Sequence, residues 1–262
     1  MQVHINKVIE FGSNDFLWKY LDLHKLFSFL LNKSLYFTRL DNFEDPLEGL
    51  TEKVLGEMAF NEGIPDDLNP TFTEEEKNSI LTGKRNRDIF IKNEIEKSQK
   101  TQFANCWFVG EKESFAMWNI YSNNDSIAIR YNPQELLNIV IPSAESYRHN
   151  HFKDFIYGFV DYDNIWPFNF FEESKKKIKY SSFKKDLSYI HEREFRFVSV
   201  VSASQIDKYE KFELPLGDIV KDNFKIYANP YMESWKFNNL SKILEKFSIQ
   251  DKLIKSDLKV KK

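Results

Sequence analysis

The chain has 262 residues, of which 42% are hydrophobic and 29% charged, with a formal net charge of −3 and a single cysteine. That is enough length for a sizeable core, too little positive charge for a global field attracting nucleic acid, and too few cysteines for a disulfide framework. No stretch approaches the roughly 18 consecutive apolar residues of a membrane span, and "MQVHINKVIEF" lacks the basic start and apolar centre of a signal peptide, so a cytoplasmic protein is expected.

In chain order, "LWKYL" (17–21) reads as a strand. Leu23, Leu26, Phe27, Leu30 and Leu31 then recur at helical spacing behind Asp22, a natural N-cap. "SLYFTRL" (34–40) returns as a strand and leads into "RLDNFEDPLEG" (39–49). There Asp45 is placed as an N-cap, Pro46 at the first helical position and Glu48 at the third, which predicts a capped helix near 46–61. That pattern leaves Asn42 and the aromatic Phe43 without a role.

Residues 62–76 are polar and acidic and read as a surface loop before a long charged helix near 74–100, a helical insertion on a single domain spanning 1–262. "TQFANCWFV" (101–109) predicts a buried strand. "ESFAMWNIYS" (113–122) predicts a short helix with Trp118 and Tyr121 three apart. "SIAIRY" (126–131) is a strand, and Pro133 opens a helix to about Val140. From 154 to 207 the chain reads mostly as strand. "KFELPL" and "FKIYA" add two more, Met232 to Phe247 form a late amphipathic helix, and the C-terminus supplies an edge strand. The fold class is α+β, with a mixed or largely antiparallel central sheet and surrounding helices.

"EFRFVSVV" (194–201) is the clearest strand. Alternation puts Phe195 and Phe197 on one face and Glu194, Arg196, Val198 and Val200 on the other, with Glu192 joining them if the strand begins early. Two carboxylates beside a guanidinium, on a face that turns apolar, read either as an ion-pair network bracing the sheet or as a binding site. Other patterns carry less. "HEREF" has Phe195 where a zinc protease needs a second histidine, and His149 and His151 lack further ligands. There is no GxGxxG or Walker loop. The Lys-rich "KKKIKYSSFKK" (175–185) reads as a solvated face that could meet phosphates.

Taken in order, "LWKYL", "LYFTRLDNFEDPLEG", "CWF…ESFAMWNIYS", "SIAIRY", "EREFRFV" and "KIYANPYMESW" resemble a widespread bacterial domain family of unknown function. Asn42, Phe43, Asp45, Pro46, Glu48, Met117, Trp118, Tyr121, Glu192, Glu194 and Arg196 match its motifs as they stand. Glu44, Leu47, Arg193 and Phe195 depart from them. The opening strand, helix and "SLYFT" are also similar to ADP-ribosyltransferase-like domains. Transferred by position, that resemblance implies NAD as substrate, with Lys19 or Tyr20, then Tyr36 or Thr38, then Glu194 in the family's three roles. No His or Arg stands in "LWKYL", where the family has one.

The resulting expectation is an ADP-ribosyltransferase-like enzyme, a bacterial toxin or phage-defence effector, acting on a nucleotide with a protein or nucleic-acid acceptor and without a metal. Glu194 stabilises the oxocarbenium-like ribose and Glu192 orients the acceptor. Arg196 meets the diphosphate, Trp118 and Tyr121 wall the pocket, and Asn42 shapes its mouth. Two alternatives stay open: a non-enzymatic ligand- or protein-binding module, and a Mg²⁺-dependent nuclease using Asp45, Glu48, Glu192 and Glu194.

Overall fold

A computed structural model describes residues 1–65, 69–166, 180–217 and 223–260. Ten strands form one sheet: β1 (Gln2–Ile5), β2 (Phe16–Leu21), β3 (Ser34–Arg39), β4 (Gln102–Gly110), β5 (Ile127–Tyr131), β6 (Phe152–Phe159), β9 (Glu194–Val201), β10 (Lys211–Pro215), β11 (Lys225–Ala228) and β12 (Leu253–Lys255). Its main path runs β1-β6-β9-β4-β2-β5-β11-β12, and β3 bridges β4 to β10. Among the described residues of this sheet, only the outer pairs β1–β6 and β11–β12 are parallel, so the protein is α+β with a mixed, mostly antiparallel sheet. A separate parallel pair joins β7 (Asp161–Asp163) to β8 (Lys184–Asp186).

Among the described residues the α-helices are α1 (Leu23–Asn32), α2 (Glu52–Glu62), α3 (Glu74–Lys100), α4 (Phe115–Tyr121), α5 (Pro133–Ser146) and α6 (Ser234–Glu245). Asp22 caps α1 as the sequence suggests, its Oδ1 accepting from the Lys25 amide at 2.8 Å. α5 runs past Pro142 to Ser146, because Val140 and Ala144 keep burying on the helix's apolar face.

The helix expected near 46–61 begins only at Glu52, with Thr51 as its N-cap. Asp45 instead closes a local turn, its Oδ1 accepting from the Leu47 amide at 2.9 Å. Glu48 is therefore not a capping-box residue, and its carboxylate turns inward.

The two faces of the sheet differ. One carries the main core, where Phe195 and Phe197 pack with Trp107, Leu17 and the apolar sides of α1, α5 and α6. On the other, an apolar patch of Trp18, Tyr20, Phe108, Met117, Trp118 and Tyr227 lies on one side, and Leu40, Ala104, Ile156, Phe183 and Val198 form a second. The register Phe108↔Glu194, Cys106↔Arg196 and Ala104↔Val198 places the strand's charged residues between these patches. The α2–α3 hairpin leans on the loop that covers them, with Gln99 Nε2 donating to the carbonyls of Pro46 and Glu48 at 3.1 Å each.

Candidate functional site

The polar centre of the second face is a buried charge cluster of Glu48, Lys185, Glu192, Glu194 and Arg196. Arg196 is fully buried. Its Nε and Nη2 grip Glu194 side-on at 2.6 and 3.0 Å, while Nη1 donates to Glu48 and, at 2.8 Å, to the Ser182 carbonyl. Lys185 Nζ completes the ring, at 2.5 Å from Glu192, 3.0 Å from Glu194 and 3.6 Å from Glu48. Phe43 lies over the Arg196 guanidinium at 5.8 Å and Tyr189 over the Lys185 ammonium at 4.6 Å, so aromatics exclude water from both cations.

Local backbone explains how the acids meet. β9 starts at Glu194, not earlier, and Glu192 ends a 3₁₀ turn. Arg193 between them is left-handed, with φ at 40°. That turn, unusual for a non-glycine residue, lets Glu192 and Glu194 reach the same ammonium.

Three carboxylates face two cations here, and the protonation of Glu192 and Glu194 is pushed in opposite directions. Burial opposes the charged form of Glu194, but Arg196 and Lys185 outweigh it and hold that carboxyl well below the usual range. Burial, reinforced by the neighbouring Glu194, pushes Glu192 up to about 7. Burial also works against the charge on Arg196 and Lys185, yet the surrounding carboxylates keep both firmly protonated.

Glu192 meets the surface through Tyr121, whose hydroxyl donates to it at 2.6 Å and whose side chain is 47% exposed. Tyr162 accepts from the Glu194 amide at 2.8 Å. Beside the cluster, Lys19 sits where β2 parts from β4. It donates to the Cys106 carbonyl at 3.0 Å, and burial brings its pKa down to about 8. Burial likewise pushes the Cys106 thiol up, which keeps it in the unreactive form.

Of the residues singled out in the sequence, Glu192, Glu194 and Arg196 converge, with Tyr121 above them and Lys19 alongside. Tyr20 and Trp118 belong to the neighbouring apolar patch, edge to face at 4.9 Å, with the Tyr20 hydroxyl accepting from the Ser114 amide. Tyr36 and Asn42 carry exposed side chains on β3 and on the turn after it, and no ion pair or hydrogen bond of the cluster reaches them. Arg196, expected to meet a diphosphate, has its guanidinium engaged by Glu48, Glu194 and a carbonyl.

One member escaped sequence reasoning, and another entered it in a different role. Glu48 reads in the sequence as a cap and joins Glu192 and Glu194 only in the nuclease alternative. Lys185 ends a lysine run that reads as solvated, yet it and Lys184 are buried; residues 175–179 of that run lie outside the described residues. The one available signal was Phe43, an aromatic with no purpose in a polar loop until Arg196 is seen beneath it.

Among the described residues, no group of three His, Cys, Asp or Glu is arranged to hold a metal, and Lys185 and Arg196 stand between the carboxylates. A cavity of about 610 Å³ opens farther along the same sheet face, beside Gln102, Asp154, Ile156 and Val200, and reaches the cluster at Ser182. No helix among the described residues is long and apolar enough to cross a membrane. No protein-family model, curated protein or solved structure matches the chain.

Proposed function

We propose that this protein is an ADP-ribosyltransferase-like enzyme that cleaves the nicotinamide–ribose bond of NAD, with Glu192 as the acid–base group. The observation that carries this reading is the split acid pair: Glu194 locked as a carboxylate by Arg196 and Lys185, and Glu192 poised near neutrality beneath a half-exposed tyrosine. Environments that push two neighbouring carboxyls apart are how one site holds a fixed negative charge and a transferable proton together. Lys19 on the early strand β2 bonds to β4, the strand that pairs with the one carrying Glu194, and this supports the same reading.

In the reaction, nicotinamide departs with the bonding electron pair and leaves an oxocarbenium-like ribose, which the negative potential of the acid pair stabilises. Water or an acceptor hydroxyl then attacks, and Glu192 takes the proton released. Glu194 acts through its charge and by holding Arg196 and Lys185. This role fits its burial better than direct contact with the ribose.

The purified protein is expected to release nicotinamide from NAD. Glu192→Gln should lower the rate by at least a hundredfold while leaving the circular dichroism spectrum unchanged. No release from NAD with water or with protein and nucleic-acid acceptors, under conditions where the protein is folded, removes the proposal.

A second reading has its own observation: every carboxylate oxygen of Glu194 is bonded to Arg196 or Lys185. On that view the cluster braces a ligand- or protein-binding module. Glu192→Gln and Glu194→Gln would then both change the melting temperature without changing any turnover.

A further inference from the structure

The residue before α4's N-cap, Glu113, is buried, and its carboxylate is spent on an element remote in sequence. Trp118 Nε1 donates to its Oε2 at 2.7 Å. Ser256 Oγ lies 2.8 Å from each carboxylate oxygen, and the Asp257 amide donates to Oε1 at 2.8 Å. Ser256 Oγ also accepts from the Leu258 amide at 3.1 Å, and Leu258 packs on the Trp18–Tyr20–Trp118 patch. Beyond the edge strand β12, the chain thus folds back and fastens to the base of α4.

α4 is only seven residues long, so its placement depends on such contacts rather than on its own hydrogen bonds. At its far end stands Tyr121, the residue bonded to Glu192.

We infer that residues 256–258 form a clasp which, through Glu113 and Trp118, positions α4 and thereby sets Tyr121 over Glu192. Glu113 is in this sense a positioning residue. The consequence for catalysis rests on the enzymatic reading above, whereas the clasp itself does not.

The two are separable by experiment. The full chain is labelled with 5-fluorotryptophan, and the Trp118 and Trp107 fluorine resonances are assigned from Trp118→Phe and Trp107→Phe. Ser256→Ala and Glu113→Gln should each displace the Trp118 resonance and leave that of Trp107, on the opposite sheet face, in place. Because both act through one contact, the double variant should shift it no further than Glu113→Gln alone. If Glu113→Gln does not fold, Ser256→Ala and a chain ending at Lys255 decide the question.

An unmoved Trp118 resonance in Ser256→Ala and in the shortened chain overturns the clasp, as do additive shifts. In the enzyme assay, loosening the clasp weakens the hydroxyl bond that favours ionised Glu192, against the same Lys185 and Glu194. The pH of half-maximal nicotinamide release should therefore move up by a few tenths of a unit or more. A mere loss of stability would leave that midpoint where it was. Absence of nicotinamide release in the unaltered protein refutes the enzymatic reading, while the fluorine shifts still decide the clasp.

Discussion

Glu192 makes the stability of this protein depend on pH in a direction opposite to that of an ordinary ion-paired carboxylate. Its folded-state pKa of about 7 lies above the ordinary 4.5, so folding favours the protonated form. The stability it contributes is fully present below about 4.5 and is lost as pH rises through about 7. Glu194 works the other way: its pKa is depressed, so its contribution is present above the usual carboxylate range and lost as pH falls through the folded value. Between about pH 5.5 and about pH 8 the unaltered protein should therefore lose melting temperature, while Glu192→Gln should stay nearly level across that interval. Parallel declines in both proteins would show that Glu192 is not the group responsible. Arg196 has the larger structural weight. Arg196→Met leaves Glu48 and Glu194 buried without their main partner, and by analogy with other buried pairs it should cost about 3–5 kcal/mol in denaturant unfolding.

The loop from Leu40 to Leu50 shows how one element serves two purposes. It delivers Phe43 and Glu48 to Arg196, and it does so by turning at Gly49, whose φ is 73°. A Cβ there would come within 2.5 Å of Leu40 Cδ1 and 3.2 Å of Gln102 Nε2. Gly49→Ala should accordingly destabilise the fold by about 1–3 kcal/mol and weaken the Glu48–Arg196 contact with it. Gly83, inside the exposed helix α3 with open space where a Cβ would stand, provides the opposite case. Gly83→Ala should raise stability by about 0.5–1 kcal/mol, since only the helix propensity changes. Two glycine-to-alanine substitutions of opposite sign in one thermal melt series check both elements. If both lower stability, the helix has a packing demand at Gly83 that its open surroundings do not show. The sequence made α3 legible through its charge pattern, to which the structure adds a capping box at its start, Thr73 with Glu76. It made the 46–61 helix start too early, because an Asp–Pro–x–Glu string caps a helix or closes a turn with the same residues. Here the pull of a buried guanidinium on Glu48 decided between them.

At the scale of the molecule, β4 and β9 lie in the middle of the ten-stranded sheet, with a hydrophobic core on one face and the charge cluster on the other. Their amides are sheltered on both faces and at both edges, whereas β1 and β12 close the sheet with a single neighbour each. Hydrogen exchange should find the slowest amides in β4 and β9, near the global unfolding limit, and exchange several orders of magnitude faster in β1 and β12. Comparable protection throughout would mean that the sheet opens only as one unit. The central strands were the most legible in the sequence, because buried strands carry long apolar runs such as "FANCWFV" and "EFRFVSVV". The edge strands are short, and their pairing is fixed by partners far along the chain.

The sequence by itself determined the α+β class, most of the elements and the acid–guanidinium face of β9, because helical and strand periodicities are local properties of neighbouring residues. Only the tertiary structure decided that Glu48 and Lys185 complete that face, that Tyr36 and Asn42 stand apart from it, and that residues 256–258 reach back to Glu113. Whether a charge is solvated or buried depends on what a distant segment lays over it. A lysine run or a capping motif looks the same in either case until the chain has closed around it.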